Sequence, residues 1–346
     1  MSHMQKIFFG ICIGISLFIK GWGLEIDFAK EMGKGSSQWS YLETKEDFSY
    51  FSFFESLYRN QELTEDRNSI PKVFHIIWLG PLDFSEDFSS LLTALVRYHE
   101  GWKVKLWMDC DRDFSFDGVE KVLISAYPFS ELTNLYYDAE NIGEKARLLS
   151  YEILYQEGGV YLDHDVQILR SIDPLTRSVD FFCGLEVLGP SVYSSSVFPS
   201  NHLIASKPFH PILQQTMSWL KKEANTYKEI FSGTQPSMVL NRVKLWVCAA
   251  FHYGVQQGVN QGSCKDIVFP SSYFSRAEKA DKNTFCLHKH LGSWHQNDVF
   301  LERKTKARLQ RLLEKSSLFS SMGLALVITQ SFFLLVFIFL LKKRRN

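Results

Sequence analysis

The sequence has no excess of either charge: 38 Lys and Arg stand against 38 Asp and Glu. A chain that binds nucleic acid by neutralising phosphates carries a basic surplus, so that class of partner is excluded. The six cysteines, at 12, 110, 183, 248, 264 and 286, include no CxxC pair. Neither a zinc finger nor a disulfide framework is indicated. Cys12 falls in a removable leader, and the remaining five thiols fit a reducing compartment better than an oxidising one. No Asn-x-Ser/Thr sequon occurs, which weighs against a eukaryotic lumen. HExxH, GxSxG and nucleophile–base spacings are missing. Gly33-Lys34-Gly35-Ser36 lacks the upstream glycine and strand of a phosphate-binding loop. There is no internal repeat and no low-complexity block.

What is present is apolar material. With 346 residues, 45% hydrophobic side chains and 29 Phe, the chain has core enough for one large domain or two ordinary ones. Two terminal runs inflate that share. Ile7 to Ile19 after Lys6, closed by Gly21-Trp22-Gly23, reads as a signal peptide or N-terminal anchor over residues 1–23. Residues 318–341, LFSSMGLALVITQSFFLLVFIFLL, carry no charge and suffice for a transmembrane helix. Lys342, Lys343, Arg344 and Arg345 follow in the basic tail 342–346, while Arg303, Lys304, Lys306, Arg308, Arg311 and Lys315 crowd a juxtamembrane helix over 301–317. The two basic flanks nearly cancel, so a single-pass membrane protein is expected with its side of the membrane undecided. Residues 24–69 are Phe-rich and charged without clean periodicity, an extension that is helical or irregular.

From Ile70-Pro71 the texture changes. Lys72 to Gly80, KVFHIIWLG, is an apolar β-branched run closed by glycine, a buried strand. Residues 88–100 repeat apolar positions at helical spacing, and Lys103 to Met108 alternates as a strand. Strand, helix, strand predicts a parallel pair joined by a crossover, hence an α/β fold. Asn141 to Glu157 is a helix with Leu149, Ile153 and Leu154 on one side, stopped by Gly158-Gly159. Val160-Tyr161-Leu162 then runs as a short strand into Asp163-His164-Asp165. Ligands in open α/β sheets bind beyond the carboxyl ends of strands, where this pair lies. Two carboxylates at i and i+2 on extended backbone point the same way and repel unless a cation sits between them. A hard divalent ion with oxygen ligands answers that need and also gathers phosphate oxygens. His164 would point to the opposite face and pack.

The run Tyr151-Glu152-Ile153-Leu154-Tyr155 through Gly158-Gly159-Val160-Tyr161-Leu162-Asp163-His164-Asp165-Val166 resembles the signature of glycosyltransferases with a DXD sugar-binding region. That family includes yeast initiating mannosyltransferases, inositol-phosphoceramide mannosyltransferases and, more remotely, the clostridial glucosylating toxins. Ile70 to Gly80 is similar to its opening strand, Asp173-Pro174-Leu175 to the segment after the acidic pair, and Cys286 to Trp294 to its closing motif. The resemblance implies a GT-A type, Rossmann-like nucleotide-sugar-binding domain over residues 70–300 with added helices. It implies Mn²⁺ or Mg²⁺, a UDP- or GDP-linked hexose as donor, and transfer with retention. By the same resemblance Trp78 would stack on the donor base and Tyr161 would line the ribose or sugar pocket. Asp163 would contact ribose, sugar or metal-bound water, and Asp165 would ligate the metal. Ser293 and Trp294 would close over metal and diphosphate with His288 nearby. The acceptor, whether lipid, glycan or protein, is not readable.

One departure stands out. The family carries an Asp and, three residues later, an Arg on the helix before Gly-Gly; here those positions are Arg147 and Ser150. Residues three apart share a helix face, so the Arg147 guanidinium can reach the same pocket. Glu144 or Asp138 could stand in for the missing acid. The alternative function is a catalytically inactive homologue acting as a membrane-anchored binding protein.

Overall fold

Val73–Trp78 (β1) is buried along its whole length, as its unbroken apolar sequence requires of a central strand. The computed structural model describes residues 26–60, 67–81, 83–190, 194–232, 236–275 and 280–291. The expected leader 1–23, juxtamembrane helix 301–317, transmembrane run 318–341 and tail 342–346 lie outside the described residues. Among the described residues no helix is long and apolar enough to cross a membrane.

Before β1 come the short α1 (Phe28–Glu31) and α2 (Lys45–Arg59). Thr44 and Asp47 cap α2 reciprocally, each side chain satisfying the other's backbone N–H. The other oxygen of Asp47 accepts from Ser195 Oγ at 2.9 Å and Ser196 N at 2.7 Å. Phe28, Phe54 and Tyr58 join the common core, so the extension packs as part of the fold.

Glu86–Tyr98 (α3) starts at Ser85, whose hydroxyl accepts from Phe88 N, and buries Phe88, Leu91, Leu92 and Leu95 at i, i+3, i+4 and i+7. Each such side chain contributes roughly 1.5–3 kcal/mol on burial. The helix leads into Lys103–Met108 (β2), parallel to β1 with Val73 beside Lys103. After Val119–Leu123 (β3) and Thr133–Asp138 (α4), the helix Ile142–Glu157 (α5) is capped by Asn141 and stopped at Gly158. Gly159–Leu162 (β4) pairs parallel with β1. Gly159 has φ +94°, and a Cβ there would lie 2.7 Å from the Val73 carbonyl oxygen. Only glycine lets β4 approach β1 so closely.

The chain continues through Val166–Ile168 (β5), Asp173–Thr176 (α6), Phe181–Leu185 (β6) and Pro199–Ser206 (β7). Pro211–Ile230 (α7), Pro236–Arg242 (α8), a π-helical turn at Val243–Cys248 and Ala249–Gly258 (α9) precede Asp266–Phe269 (β8) and Cys286–His288 (β9). The main sheet runs β3-β2-β1-β4-β7-β6-β8, and β5 and β9 form a separate antiparallel pair. Only β7 opposes its neighbours in the main sheet. The carboxyl ends of β1, β4 and β6 therefore lie at one edge, together with the amino end of β7. Cysteines 110, 183, 248, 264 and 286 are all free thiols.

Two core histidines carry their charge state in their hydrogen bonds. His75 accepts from Trp107 Nε1 at 3.1 Å and faces the Gly158 carbonyl at 2.9 Å. His99 accepts from Ile172 N at 2.9 Å and faces the Leu95 carbonyl at 3.2 Å. A carbonyl only accepts and an N–H only donates, so each ring carries one proton and is neutral. Burial lowers them to about 3 and about 4 from 6.5. The unfolded chain binds protons between roughly pH 6.5 and 4 that the folded chain refuses, so this stability is complete above 6.5 and is lost on acidification. At pH 5 each costs up to about 2 kcal/mol. The urea midpoint should fall between pH 7 and pH 5, and His99→Gln, which keeps a donor and an acceptor, should flatten that slope.

Candidate active site

The acidic pair sits where β4 ends, but its geometry differs from the expected extended strand. The backbone turns immediately after Leu162, with Val166 N donating to the Asp163 carbonyl at 3.2 Å. Convergence of the two carboxylates comes instead from this turn and from β9. Pairing of β5 with β9 sets Val166 beside His288, and Lys289 N donates to the Asp165 carbonyl at 3.0 Å. The result is one cluster: ligand atoms of Asp163, Asp165 and His288 all lie within 4.8 Å of one another.

Each member has a distinct set of partners. Asp163 Oδ1 accepts from Tyr161 Oη at 2.7 Å, and Oδ2 accepts from Arg147 Nη2 at 3.1 Å. Arg147 Nη1 donates to the Asn201 carbonyl, and the guanidinium lies 5.3 Å from the Tyr161 ring centroid. Asp165 Oδ1 lies 3.1 Å from His288 Nε2, and Oδ2 accepts from Leu291 N at 2.8 Å. His288 Nδ1 is buried and has no hydrogen-bond partner among the described residues. Burial would raise both carboxyls. The Arg147 charge beside Asp163 and the His288 bond to Asp165 outweigh it and hold both below the ordinary range. Burial would lower His288, yet its bond to Asp165 and the nearby Asp163 raise it. Burial and the neighbouring Asp163 push Tyr161 well above 10, so its hydroxyl stays a donor.

Of the residues expected from sequence, Asp163, Asp165, Arg147, Tyr161 and His288 are brought together. Ser293 and Trp294 lie outside the described residues. Trp78 ends β1 nearby but is only 7% exposed, set among Phe84, Phe88 and His164 at centroid distances of 5.0, 4.7 and 5.0 Å. His164 thus packs, as its position between the acids implied. Ser150 is fully buried, with its hydroxyl donating to the Arg147 carbonyl at 2.7 Å. Glu144 is engaged by Arg242 at 2.9 Å and Asp138 by Lys228 at 2.8 Å, so both candidate replacement acids are already paired.

Sequence reasoning missed a second polar group. Glu186, directly after β6, accepts from Ser200 Oγ at 2.6 Å, and Ser200 shares a short hydrogen bond with His202 Nδ1. The His202 ring stacks on His288 at 4.3 Å, and His290 meets the other histidine at 3.9 Å. The only available signal was Glu186 closing a buried strand, since Ser200 and His202 lie in a run that reads as core.

The comparisons agree with the motif. Residues 85–182 match the family model described as glycosyltransferase sugar-binding region containing DXD motif. Inositol phosphoceramide mannosyltransferase 1 of Schizosaccharomyces pombe is 26% identical over 263 residues, 70% of this chain and 69% of that protein. Inositol phosphoceramide mannosyltransferase 3 of the same yeast is 26% identical over 173 residues, 50% of this chain and 43% of its own length. Uncharacterized glycosyltransferase L373 of Acanthamoeba polyphaga mimivirus is 28% identical over 175 residues, 48% of this chain and 61% of that one. The chain thus spans between less than half and about two thirds of these relatives. The solved PaToxG glycosyltransferase aligns with a TM-score of 0.44 at 18% identity, over 64% of this chain and 79% of that one. The resemblance read from residues 151–166 holds: residues 85–182 match the DXD sugar-binding region of glycosyltransferases, and the relatives just described carry glycosyltransferase names.

Trp78 offers a clean test of packing against base recognition. Surrounded as it is, Trp78→Ala should destabilise the fold by about 3–5 kcal/mol in denaturant unfolding. A loss of donor affinity of about 1–3 kcal/mol with stability unchanged would instead restore the base-stacking role.

Proposed function

We propose that the protein is a membrane-bound, divalent-metal-dependent glycosyltransferase of GT-A type that moves a hexose from a UDP- or GDP-linked donor to an acceptor, with retention. The carrying observation is the cluster of Asp163, Asp165 and His288 at the carboxyl end of β4. Two carboxylates and an imidazole converging at one edge fit a divalent cation, and the unpartnered polar atom on His288 belongs to the same cluster. Mn²⁺ or Mg²⁺ held there would supply positive charge to the diphosphate leaving group. Asp165 is the primary ligand in this reading, because its Oδ1 faces His288, itself a member of the cluster, whereas both oxygens of Asp163 are held by donors outside the cluster, Arg147 and Tyr161. Arg147 and Tyr161 fix Asp163 and exclude water beneath it. By the family resemblance Ser293 and Trp294 would close over metal and diphosphate; both lie outside the described residues.

The yeast relatives' names supply a first substrate pair, mannose as the sugar and inositol phosphoceramide as the lipid that receives it. A lipid acceptor accords with the apolar run 318–341, because tethering raises the local concentration of a membrane-resident substrate.

The full chain in detergent should hydrolyse or transfer from one of the UDP- or GDP-hexoses. Activity should vanish with a chelator and return with Mn²⁺ or Mg²⁺. Asp165→Asn should abolish it while leaving the metal-free melting temperature nearly unchanged. Arg147→Lys should lose roughly tenfold or more in turnover, since a single ammonium cannot bridge the Asp163 carboxylate and the Asn201 carbonyl as the planar fork does. Full turnover in Asp165→Asn would remove the cation from the reaction. Donor binding without turnover in the parent would mark a binding protein.

A further inference from the structure

We propose that Glu186, Ser200 and His202 form a positioning relay that holds His288 toward the carboxylate pair. The relay rests on reading Asp163, Asp165 and His288 as the cation site. A metal-binding histidine is ordinarily oriented by a hydrogen bond from its second ring nitrogen. In His288 the ring hydrogen bond, from Nε2, goes to Asp165, itself a proposed ligand, and Nδ1 is buried without a partner among the described residues, so no group outside the cluster orients the ring by hydrogen bonding. Something else must set the rotation of its ring. The His202 ring lies against it at 4.3 Å with only 27° between the planes.

His202 can serve as that wall because it is fixed at both nitrogens. Nε2 faces the Phe274 carbonyl at 3.2 Å, and since a carbonyl only accepts, Nε2 carries a proton. Nδ1 is hydrogen-bonded to Ser200 Oγ, which donates onward to Glu186 Oε1 at 2.6 Å. Ser200 and His202 are each 1% exposed, so water does not compete for the bond between them. Glu186 is itself held in place, its N–H donating to the Phe198 carbonyl at 3.0 Å. The topology explains the meeting. β6 and β4 run parallel with β7 between them, so Glu186 and Asp163 flank the strand whose first residues include Ser200 and His202.

The test is Mn²⁺ binding to the full chain, read from the electron paramagnetic resonance of free Mn²⁺ with no donor present. Asp165→Asn should eliminate binding. Glu186→Ala should weaken it by about tenfold, the low end of what losing a hydrogen-bonded outer partner of a metal ligand costs, because Glu186 acts through Ser200 and His202. Ser200→Ala, a smaller deletion, carries the same expectation should Glu186→Ala lower the melting temperature. Glu186→Gln, which returns an acceptor for Ser200, should bind close to the parent. Parent-like affinity in both alanine variants, or a Gln variant as weak as Ala, overturns the relay. If Asp165→Asn binds Mn²⁺ like the parent, the cation site falls, and that failure is distinct.

Discussion

The contact between Arg147 and Asp163 is the constraint around which this site is built. Two carboxylates brought within a few ångströms in a largely buried turn repel, and burial penalises each charge separately. The fold answers with a guanidinium on Asp163 and an imidazole and a backbone N–H on Asp165. Removing one partner from such a pair costs about 3–5 kcal/mol because the remaining charge is stranded. Arg147 also ties three elements together. It leaves α5, meets the residue that follows β4, and donates to a carbonyl on β7. Tyr151, on the same helix, in turn donates its hydroxyl to the Val247 carbonyl in the π-helical turn at 3.2 Å.

The one antiparallel strand gives this edge its character. A wholly parallel sheet would present only carboxyl ends there, with loops leading away. Because β7 starts at this edge, its first residues stand between the ends of β4 and β6. Asp163 N donates to the His202 carbonyl at 2.8 Å, which locks the acidic turn to β7 at its first residue. Ser200 and His202 therefore serve the site from a strand inside the sheet at 1% exposure each, and Asn201 between them serves it through its backbone carbonyl.

Much of the frame was legible because it obeys local rules. The apolar run Val73–Trp78, the heptad-like spacing of α3 and the glycine stop after Glu157 each specify their element without help from elsewhere. The acidic pair was legible through its company of Gly158, Gly159 and Tyr161. The turn at Asp163 was not, since a strand followed by Asp-x-Asp reads equally well as continued extension. The approach of His288 was legible only through the family resemblance, since it depends on pairing between β5 and β9 across more than a hundred residues. Glu186, Ser200 and His202 escaped for the same reason. Their partnership exists only once β6 and β7 are paired with a register shift between Cys183 and Leu185.

The exchange at Arg147 and Ser150 can be argued from helix geometry. Three residues along an α-helix shift a side chain by about 4.5 Å in rise and about 60° in azimuth. A long arginine side chain spans that displacement, so the guanidinium the family carries at position 150 can be supplied from 147 here. Position 150 then needs no charge, and the buried Ser150 hydroxyl turns back to its own helix. What the exchange does not return is the acid the family places at 147. Glu144 and Asp138 are spent on Arg242 and Lys228. Replacing Asp and Arg by Arg and Ser makes this end of α5 one unit more positive than the family pattern. That extra charge eases the repulsion between Asp163 and Asp165 before any ion arrives.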